Sequence, residues 1–266
     1  MRSAPGRNVH PILIELWGLE IPTYGLLLAA SFLLALRVAL HYARREGVPP
    51  ESVMNLWLWA LFSGIAGAKI LLYIVDFEQY VRNPRSLLSS LRSAGVLYGG
   101  LAAGVAVGVW YVRRHALPIW KCFDLCAPPL AIGTALGRLG CLAAGCCFGR
   151  PTRLAWGVTF SDPRARAITN VPLDLPLHPT QVLLSLGSLA VFAGLVALYR
   201  RKRFDGQVFA VYLAAETLLR FCVEFLRGDP RGTLFGLPTS QTLAIAGFAA
   251  ALVVYWRRRR FAPAGA

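Results

Sequence analysis

The stretch PTYGLLLAASFLLALRVALH, from Pro22 to His41, decides the class of fold because its 20 residues are mostly apolar and carry a single formal charge, at Arg37. A helix needs about 20 mostly apolar residues to cross the hydrocarbon core of a bilayer. The whole 266-residue chain shares this bias, being 56% hydrophobic and only 15% charged, whereas a soluble domain carries about 25% charged residues. No small-residue cleavage site follows the stretch, so we interpret it as a retained span. The composition predicts an all-α, polytopic integral membrane protein.

Further apolar segments of similar length predict a bundle of seven transmembrane helices in a single domain, residues 1–266. The segments lie at about 22–41, 53–75, 95–111, 118–136, 179–198, 206–226 and 237–256. The fourth is the weakest, because it contains Lys121, Asp124 and the pair Pro128-Pro129. An external loop is expected at about 139–178.

The net charge of +15 comes largely from basic residues at the ends of apolar runs. We interpret these residues as signals that orient the chain in the membrane and as contacts for anionic lipids. This distribution argues against a nucleic-acid partner. The densest basic clusters, at residues 200–203 and 257–260, predict a cytoplasmic C-terminus. An odd number of spans then places the N-terminus and the loop at about 139–178 on the outer side of the membrane.

Four charged residues of the sixth apolar segment, Glu216, Arg220, Glu224 and Arg227, are spaced by four, four and three positions. On one helix they would form a stripe within roughly 80°. Charges in a bilayer are costly unless they are paired or face water. The stripe is therefore either a structural ladder of ion pairs or one wall of a polar cavity that offers an arginine to an anion.

A second intramembrane arginine favours the cavity. Arg138 lies in GRLGCLAAGCCFGRPT, residues 137–152, where Gly137 and Gly140 permit close approach of another helix or a ligand. Snorkelling to the interface is the alternative for this side chain. Guanidinium groups from two spans suit a bidentate phosphate clamp, and the commonest phosphate at that depth is a lipid headgroup.

The three cysteines of the same stretch, Cys141, Cys146 and Cys147, match no common zinc spacing, so no metal is predicted. We interpret them as small apolar residues of membrane helices, with a redox function as an alternative that requires a reversible disulfide. Other polar side chains open apolar segments and have either structural or functional interpretations. These are Tyr24 in IPTYGLLL, Tyr98 before Gly99-Gly100, and His178 in LHPTQ, a cap or a base.

Taken together, these motifs resemble the bacterial prolipoprotein diacylglyceryl transferase family, in the family's order and over nearly the whole chain. The segments that carry the resemblance are HPILIELWGLEIPTYGLLL, GAKILLY, VLYGGLAAG, GRLGCLAAGCCFGRPT, LHPTQ and RFCVEFLRGDPRG. The family moves a diacylglyceryl group from phosphatidylglycerol to the lipobox cysteine thiol of a preprolipoprotein signal peptide. A thioether forms, glycerol-1-phosphate leaves, and no cofactor is required.

By this resemblance Arg138 and Arg220 are the essential arginines, with Tyr98 as a further catalytic candidate. Substrate-binding positions are expected at Tyr24, Gly99, Gly149, His178 and Glu224, with Glu224 holding Arg220. The chain departs from the family where Cys141 replaces an asparagine, Cys146 a glutamate and Tyr98 a histidine. It therefore resembles a cysteine-bearing subgroup, and a divergent paralogue that binds or transports phospholipid without catalysis is the alternative. The base for the substrate thiol stays open among Tyr98, His178, Glu224 and water.

Overall fold

The computed structural model describes residues 11–16, 19–83, 95–229 and 232–261. Its elements are mostly helices, with two short hairpins. In chain order they are β1 Ile12–Leu16, β2 Leu19–Pro22, α1 Thr23–Glu46, α2 Pro50–Val75, α3 Phe77–Arg82, α4 Leu97–Arg114, α5 Ile119–Ala144, α6 Pro163–Thr169, α7 Thr180–Tyr199, α8 Gln207–Glu224, β3 Thr233–Leu234, β4 Leu237–Pro238 and α9 Thr239–Arg260. β1 pairs antiparallel with β2, and β3 with β4. Arg85, Arg92 and Arg231 lie outside the described residues.

Five helices in the described part of the chain, α1, α2, α5, α7 and α9, are long and apolar enough to cross a membrane. The polytopic membrane class predicted from composition is thereby supported. The third and sixth predicted segments also form helices, α4 and α8, of 18 residues each. α4 ends in Arg113 and Arg114, and α8 contains Glu216, Arg220 and Glu224.

The chain forms two compact units, residues 39–122 and residues 1–38 with 123–266. In the smaller unit α2 packs on α4 through glycines. A Cβ added at Gly99 would overlap the carbonyl oxygen of Gly67, and one added at Gly100 would meet the Gly64 oxygen at 2.8 Å. Small residues at such a contact let two helix backbones approach closely, which is a common basis of helix association in membranes.

In the larger unit, buried polar side chains join the helices. Ser31 on α1 donates to the Gly133 carbonyl on α5, and Ser185 on α7 donates to the Ala135 carbonyl on α5, each at 2.8 Å. Asp124 is fully buried and accepts from the backbone N–H groups of Gly206 and Phe209 at 2.8 and 2.9 Å. The charge that weakened the fourth apolar segment as a predicted span thus caps the first turn of α8, where the helix dipole favours an anion.

Two helix ends differ from the sequence expectation. α5 continues to Ala144, beyond the expected end at about residue 136, because Gly137 and Gly140 keep a helical backbone and the chain turns only at Gly145, where φ is 76°. Arg138 is therefore a helical residue. α8 ends at Glu224, so Arg227 lies in the turn that follows and not on the predicted helical stripe.

The segment between α5 and α7 is folded, with a small core made by Phe148, Phe160, Ala165, Val171 and Leu177. Asp162 caps α6 by accepting from the Arg164 N–H at 2.8 Å. Main-chain hydrogen bonds join Val158 to Leu177 in both directions at 2.9 Å. This core holds the segment that contains the cysteines against the start of α7.

Candidate phosphate-binding site and thiol cluster

Arg220 projects from α8 and is fixed by two neighbours. Its Nη2 lies 3.2 Å from Glu224 Oε2, one helical turn further on, and 3.2 Å from the Ser240 hydroxyl of α9. The Glu224 side chain is only 2% exposed, and that of Arg220 is 24% exposed. A buried carboxylate thus orients the guanidinium, while part of the Arg220 side chain remains accessible.

Arg138 projects from α5 into the same charged neighbourhood. Its Nη1 lies 3.8 Å from Cys147 Sγ. Its charge acts on Arg220 and on Glu216 of α8. Glu216 is itself held by the Ser188 hydroxyl of α7 at 3.2 Å. The charge of Arg138, on α5, thus influences Arg220, on α8.

Arg227 is a third guanidinium in this neighbourhood, and the sequence prediction did not include it among the site residues. It is buried, at 5% exposure, and its Nε and Nη2 each donate to the Asp229 carboxylate at 2.9 Å. Burial raises the pKa of Asp229, and the Arg227 charge opposes that shift. The charge of Arg227 also acts on Arg220. Its Nη1 is buried and has no hydrogen-bond partner among the described residues.

An unpaired buried N–H of a guanidinium costs free energy unless a ligand or water accepts it. The Nη1 of Arg227 therefore marks a position suited to an anionic oxygen. In the sequence, Arg227 stands three residues after Glu224, and the predicted helix therefore put it on the same face as Arg220. The sequence did not reveal that the helix ends at Glu224 and that Arg227 lies in the following turn.

The motif LHPTQ has a structural function that the sequence left open between a turn and a functional group. The Thr180 hydroxyl donates to the Cys147 carbonyl at 2.6 Å, and the Gln181 amide donates to the Cys146 carbonyl at 2.8 Å. Both side chains are buried. His178 packs edge-on to Trp156, with ring centroids 6.4 Å apart, and its Nδ1 is a buried atom without a hydrogen-bond partner in the described residues.

Gly149 lies where two other segments meet its backbone. A Cβ there would approach the His178 Cβ at 2.5 Å and the Leu226 carbonyl oxygen at 2.9 Å. The adjacent Arg150 N–H donates to the Leu226 carbonyl at 2.8 Å. This packing accounts for the glycine.

Tyr24 stands at the start of α1 and packs on Gly140 of α5, where an added Cβ would lie 3.2 Å from the tyrosine ring. The charge of Arg138 acts on Tyr24 as well.

Tyr98 and Gly99 belong to the smaller unit. Tyr98 is 40% exposed, and Gly99 forms the close contact between α4 and α2.

The sulfur atoms of Cys141, Cys146 and Cys147 lie within 4.8 Å of one another. Hydrogen bonds from the Cys141 and Cys146 thiols lower the pKa of the Cys147 thiol, and the charges of Arg227 and Arg138 act in the same direction. Hydrogen bonding with the other two thiols and burial raise the pKa of the Cys146 thiol. The sequence spacing gave no sign of this cluster. It forms because Cys141 lies on the last turn of α5 and the chain reverses at Gly145.

Comparison with known proteins agrees with the motifs. The family model described as prolipoprotein diacylglyceryl transferase matches residues 11–257. A Clostridium tetani protein named phosphatidylglycerol–prolipoprotein diacylglyceryl transferase is 34% identical over 238 residues, 89% of this chain and 93% of its own. The chain belongs to the prolipoprotein diacylglyceryl transferase family.

Other relatives of the family carry the same name. A Clostridium perfringens protein is 31% identical over 235 residues, 88% of this chain and 90% of its own. A protein of a Nostoc species is 30% identical over 271 residues, 97% of this chain and 92% of its own. The family assignment made from the motifs is confirmed.

Proposed function

We propose that this protein transfers the diacylglyceryl group of phosphatidylglycerol to the lipobox cysteine thiol of a preprolipoprotein, with release of glycerol-1-phosphate. The observation that supports the proposal most directly is the buried Nη1 of Arg227, which has no hydrogen-bond partner among the described residues. It lies in a chain of this family in which the charges of Arg138 and Arg227 both act on Arg220. A charge buried in a membrane protein is costly unless a partner or a ligand offsets it, so a group of arginines in this setting suits the binding of an anion.

The reaction is a displacement at an sp3 carbon. The substrate thiolate attacks the glyceryl carbon, the bond from that carbon to the phosphate oxygen breaks, and its electron pair leaves with glycerol-1-phosphate. Arg138 and Arg220 bind the phosphate and stabilise the charge that grows on the departing oxygen, which is the kind of electrostatic stabilisation that lowers a barrier most. Glu224 positions Arg220 for this task, and Asp229 positions Arg227.

We assign the protein to the bacterial inner membrane as a single domain with seven spans, α1, α2, α4, α5, α7, α8 and α9. The N-terminus and the segment between α5 and α7 then face the periplasm, and the basic end of α9 faces the cytoplasm. This orientation puts the arginines at the outer ends of α5 and α8. The signal peptide of the substrate would reach them from within the membrane, together with phosphatidylglycerol.

The replacement of the usual asparagine and glutamate by Cys141 and Cys146 favours a second candidate, a paralogue that binds or transports phospholipid without catalysis. Mass spectrometry of a lipobox peptide incubated with the purified protein and phosphatidylglycerol separates the two. We expect a peptide that carries a diacylglyceryl thioether, and Arg138→Ala and Arg220→Ala should each abolish it. Bound phosphatidylglycerol with no product would favour the paralogue, and full activity in both variants would reject the phosphate clamp.

A further inference from the structure

The three thiols of the cluster have the number, chemistry and spacing of a metal site. A tetrahedral Zn²⁺ with bonds of about 2.3 Å to sulfur holds its sulfurs about 3.8 Å apart. The Sγ atoms of Cys141, Cys146 and Cys147 already lie within 4.8 Å of one another. Closure by about 1 Å, within reach of small side-chain rotations, would complete three corners of the tetrahedron. Within the described part of the chain, no histidine or carboxylate joins this group.

The backbone around the thiols is fixed before any ion binds. Cys147 has a φ of 62°, a left-handed conformation that is rare for a residue with a side chain and persists where its surroundings impose it. Those surroundings are Thr180 and Gln181, which hold the carbonyl groups of Cys147 and Cys146 at 2.6 and 2.8 Å. These two bonds hold the backbone from which the Cys146 and Cys147 sulfur atoms project.

The charges around the cluster also suit an ion held by thiolates. Three thiolates and one divalent ion have a net charge of −1, and a fourth thiolate would make it −2. Arg138 donates toward Cys147 Sγ at 3.8 Å, and the charges of Arg138 and Arg227 both act on that sulfur. Two guanidinium groups thus offset the negative charge that such a complex would carry.

We propose that Cys141, Cys146 and Cys147 bind a thiophilic divalent ion such as Zn²⁺, whose open fourth position takes the thiolate of the substrate's lipobox cysteine. This inference rests on the proposed function. Three protein ligands and one open position are the pattern of catalytic zinc sites, and a thiol that coordinates zinc is deprotonated outright. The site would supply the activation of the nucleophile for which the sequence offered no clear base.

The step balances without a redox partner. The substrate S–H bond breaks, its proton passes to water, and its sulfur binds the ion as a thiolate. The sulfur then forms a bond to the glyceryl carbon as the carbon–oxygen bond to phosphate breaks, and that electron pair leaves on glycerol-1-phosphate. The neutral thioether is a weaker ligand than a thiolate, so the product dissociates from the ion. Arg138 donates to Cys147 Sγ, and its charge acts on Arg220, so this residue connects the thiols with the arginines that bind the phosphate.

Metal binding can be measured apart from activity. Purified, reduced protein is stripped with a chelator, equilibrated with Zn²⁺ alone, desalted and assayed for metal by mass spectrometry. We expect about one ion per chain in the wild type, and the detergent-buffer background in Cys141→Ser/Cys146→Ser/Cys147→Ser. Cys222→Ser, which removes an exposed cysteine outside the cluster, is the matched control and should retain the ion. Equal metal content in all three proteins, or none in the wild type, would overturn the proposal.

The open position is tested with Co²⁺ in place of Zn²⁺, because thiolate ligands give Co²⁺ a charge-transfer absorption that grows with their number. Addition of a lipobox peptide should raise this absorption by about one third, as three sulfur ligands become four. A peptide with serine in place of the lipobox cysteine should leave it unchanged. An identical response to both peptides would reject the coordinated substrate thiolate.

The outcome can be separated from that of the proposed function. If the metal-loaded protein binds the cysteine peptide at Co²⁺ but forms no thioether with phosphatidylglycerol, the transferase assignment fails and the metal site stands. If the stripped protein, with metal content at background, forms the thioether at the rate of the loaded one, the transferase stands and the metal proposal fails. A folding check by size-exclusion chromatography and thermal unfolding accompanies the triple variant.

Discussion

The ion pair between Glu224 and Arg220 gives the sharpest test of the phosphate clamp. Coulomb's law at an effective dielectric constant of about 20 gives about 5 kcal/mol for unit charges at the observed 3.2 Å. Glu224→Gln keeps the shape and one dipolar contact, so we expect a loss of about 2 kcal/mol of the energy that positions the guanidinium. That loss corresponds to a fall in kcat/KM of roughly 30-fold.

The assay follows the lipidated peptide by mass spectrometry at several concentrations of phosphatidylglycerol in mixed micelles. Because the clamp acts mainly on the charge that develops as phosphate departs, kcat and kcat/KM should fall together. Glu78→Gln is the matched control, because Glu78 forms the same type of pair with Arg82, four residues further on, but 79% of its side chain is exposed. Exposed pairs contribute little, so this variant should behave as the wild type.

Equal activity of Glu224→Gln and Glu78→Gln would refute the positioning role of Glu224. A rise in KM with kcat unchanged would also contradict it, since that pattern indicates lost ground-state binding alone.

Three further predictions follow from the contacts of the site. Arg227→Lys keeps the charge but loses the bidentate geometry and the unpaired N–H, so kcat/KM should fall roughly tenfold or more in the same assay, and wild-type activity would contradict a role in anion binding. Gly149→Ala should destabilise the protein by about 1–3 kcal/mol through overpacking, whereas Gly194→Ala, with no atom within 4 Å, should not lower the midpoint of thermal unfolding. Thr180→Val removes the hydrogen bond to the buried Cys147 carbonyl and should lower the free energy of unfolding by about 1–3 kcal/mol in the same thermal measurement. Thr242→Val removes an exposed hydrogen bond and should change this free energy little, so equal effects of the two variants would argue against the role of the buried bond.

The positions of the helices were largely predictable, because each apolar segment of sufficient length became a helix close to its expected bounds. The main error lay at the end of α5. Gly137 and Gly140 look like points where a helix stops, yet glycine inside a membrane helix also permits packing, and Gly140 packs on Tyr24. Only the backbone shows that the first positive φ in this region is at Gly145.

The site was predictable in part. Because intramembrane arginines are rare, Arg138 and Arg220 led to the prediction of an anion site from sequence alone, and this stays a prediction. The burial of Arg227 was not predicted, because we continued the helical spacing to residue 227 whereas α8 ends at Glu224. The thiol cluster was hidden for a related reason. The distance between Cys141 and Cys147 depends on a chain reversal, which no spacing rule for cysteines describes.

The backbone hydrogen bonds around Gly149 have an evolutionary consequence. Arg150 bonds through its N–H to Leu226 and through its carbonyl to the His178 N–H at 2.9 Å, and Gly228 donates to the Phe148 carbonyl at 3.1 Å. Main-chain groups form these bonds whatever side chain each residue carries. Substitutions can therefore accumulate at most of these positions over long lineages while the three segments keep their arrangement. Gly149 and Gly228 are positions where such drift meets a steric limit, because an added Cβ at either would clash with backbone atoms.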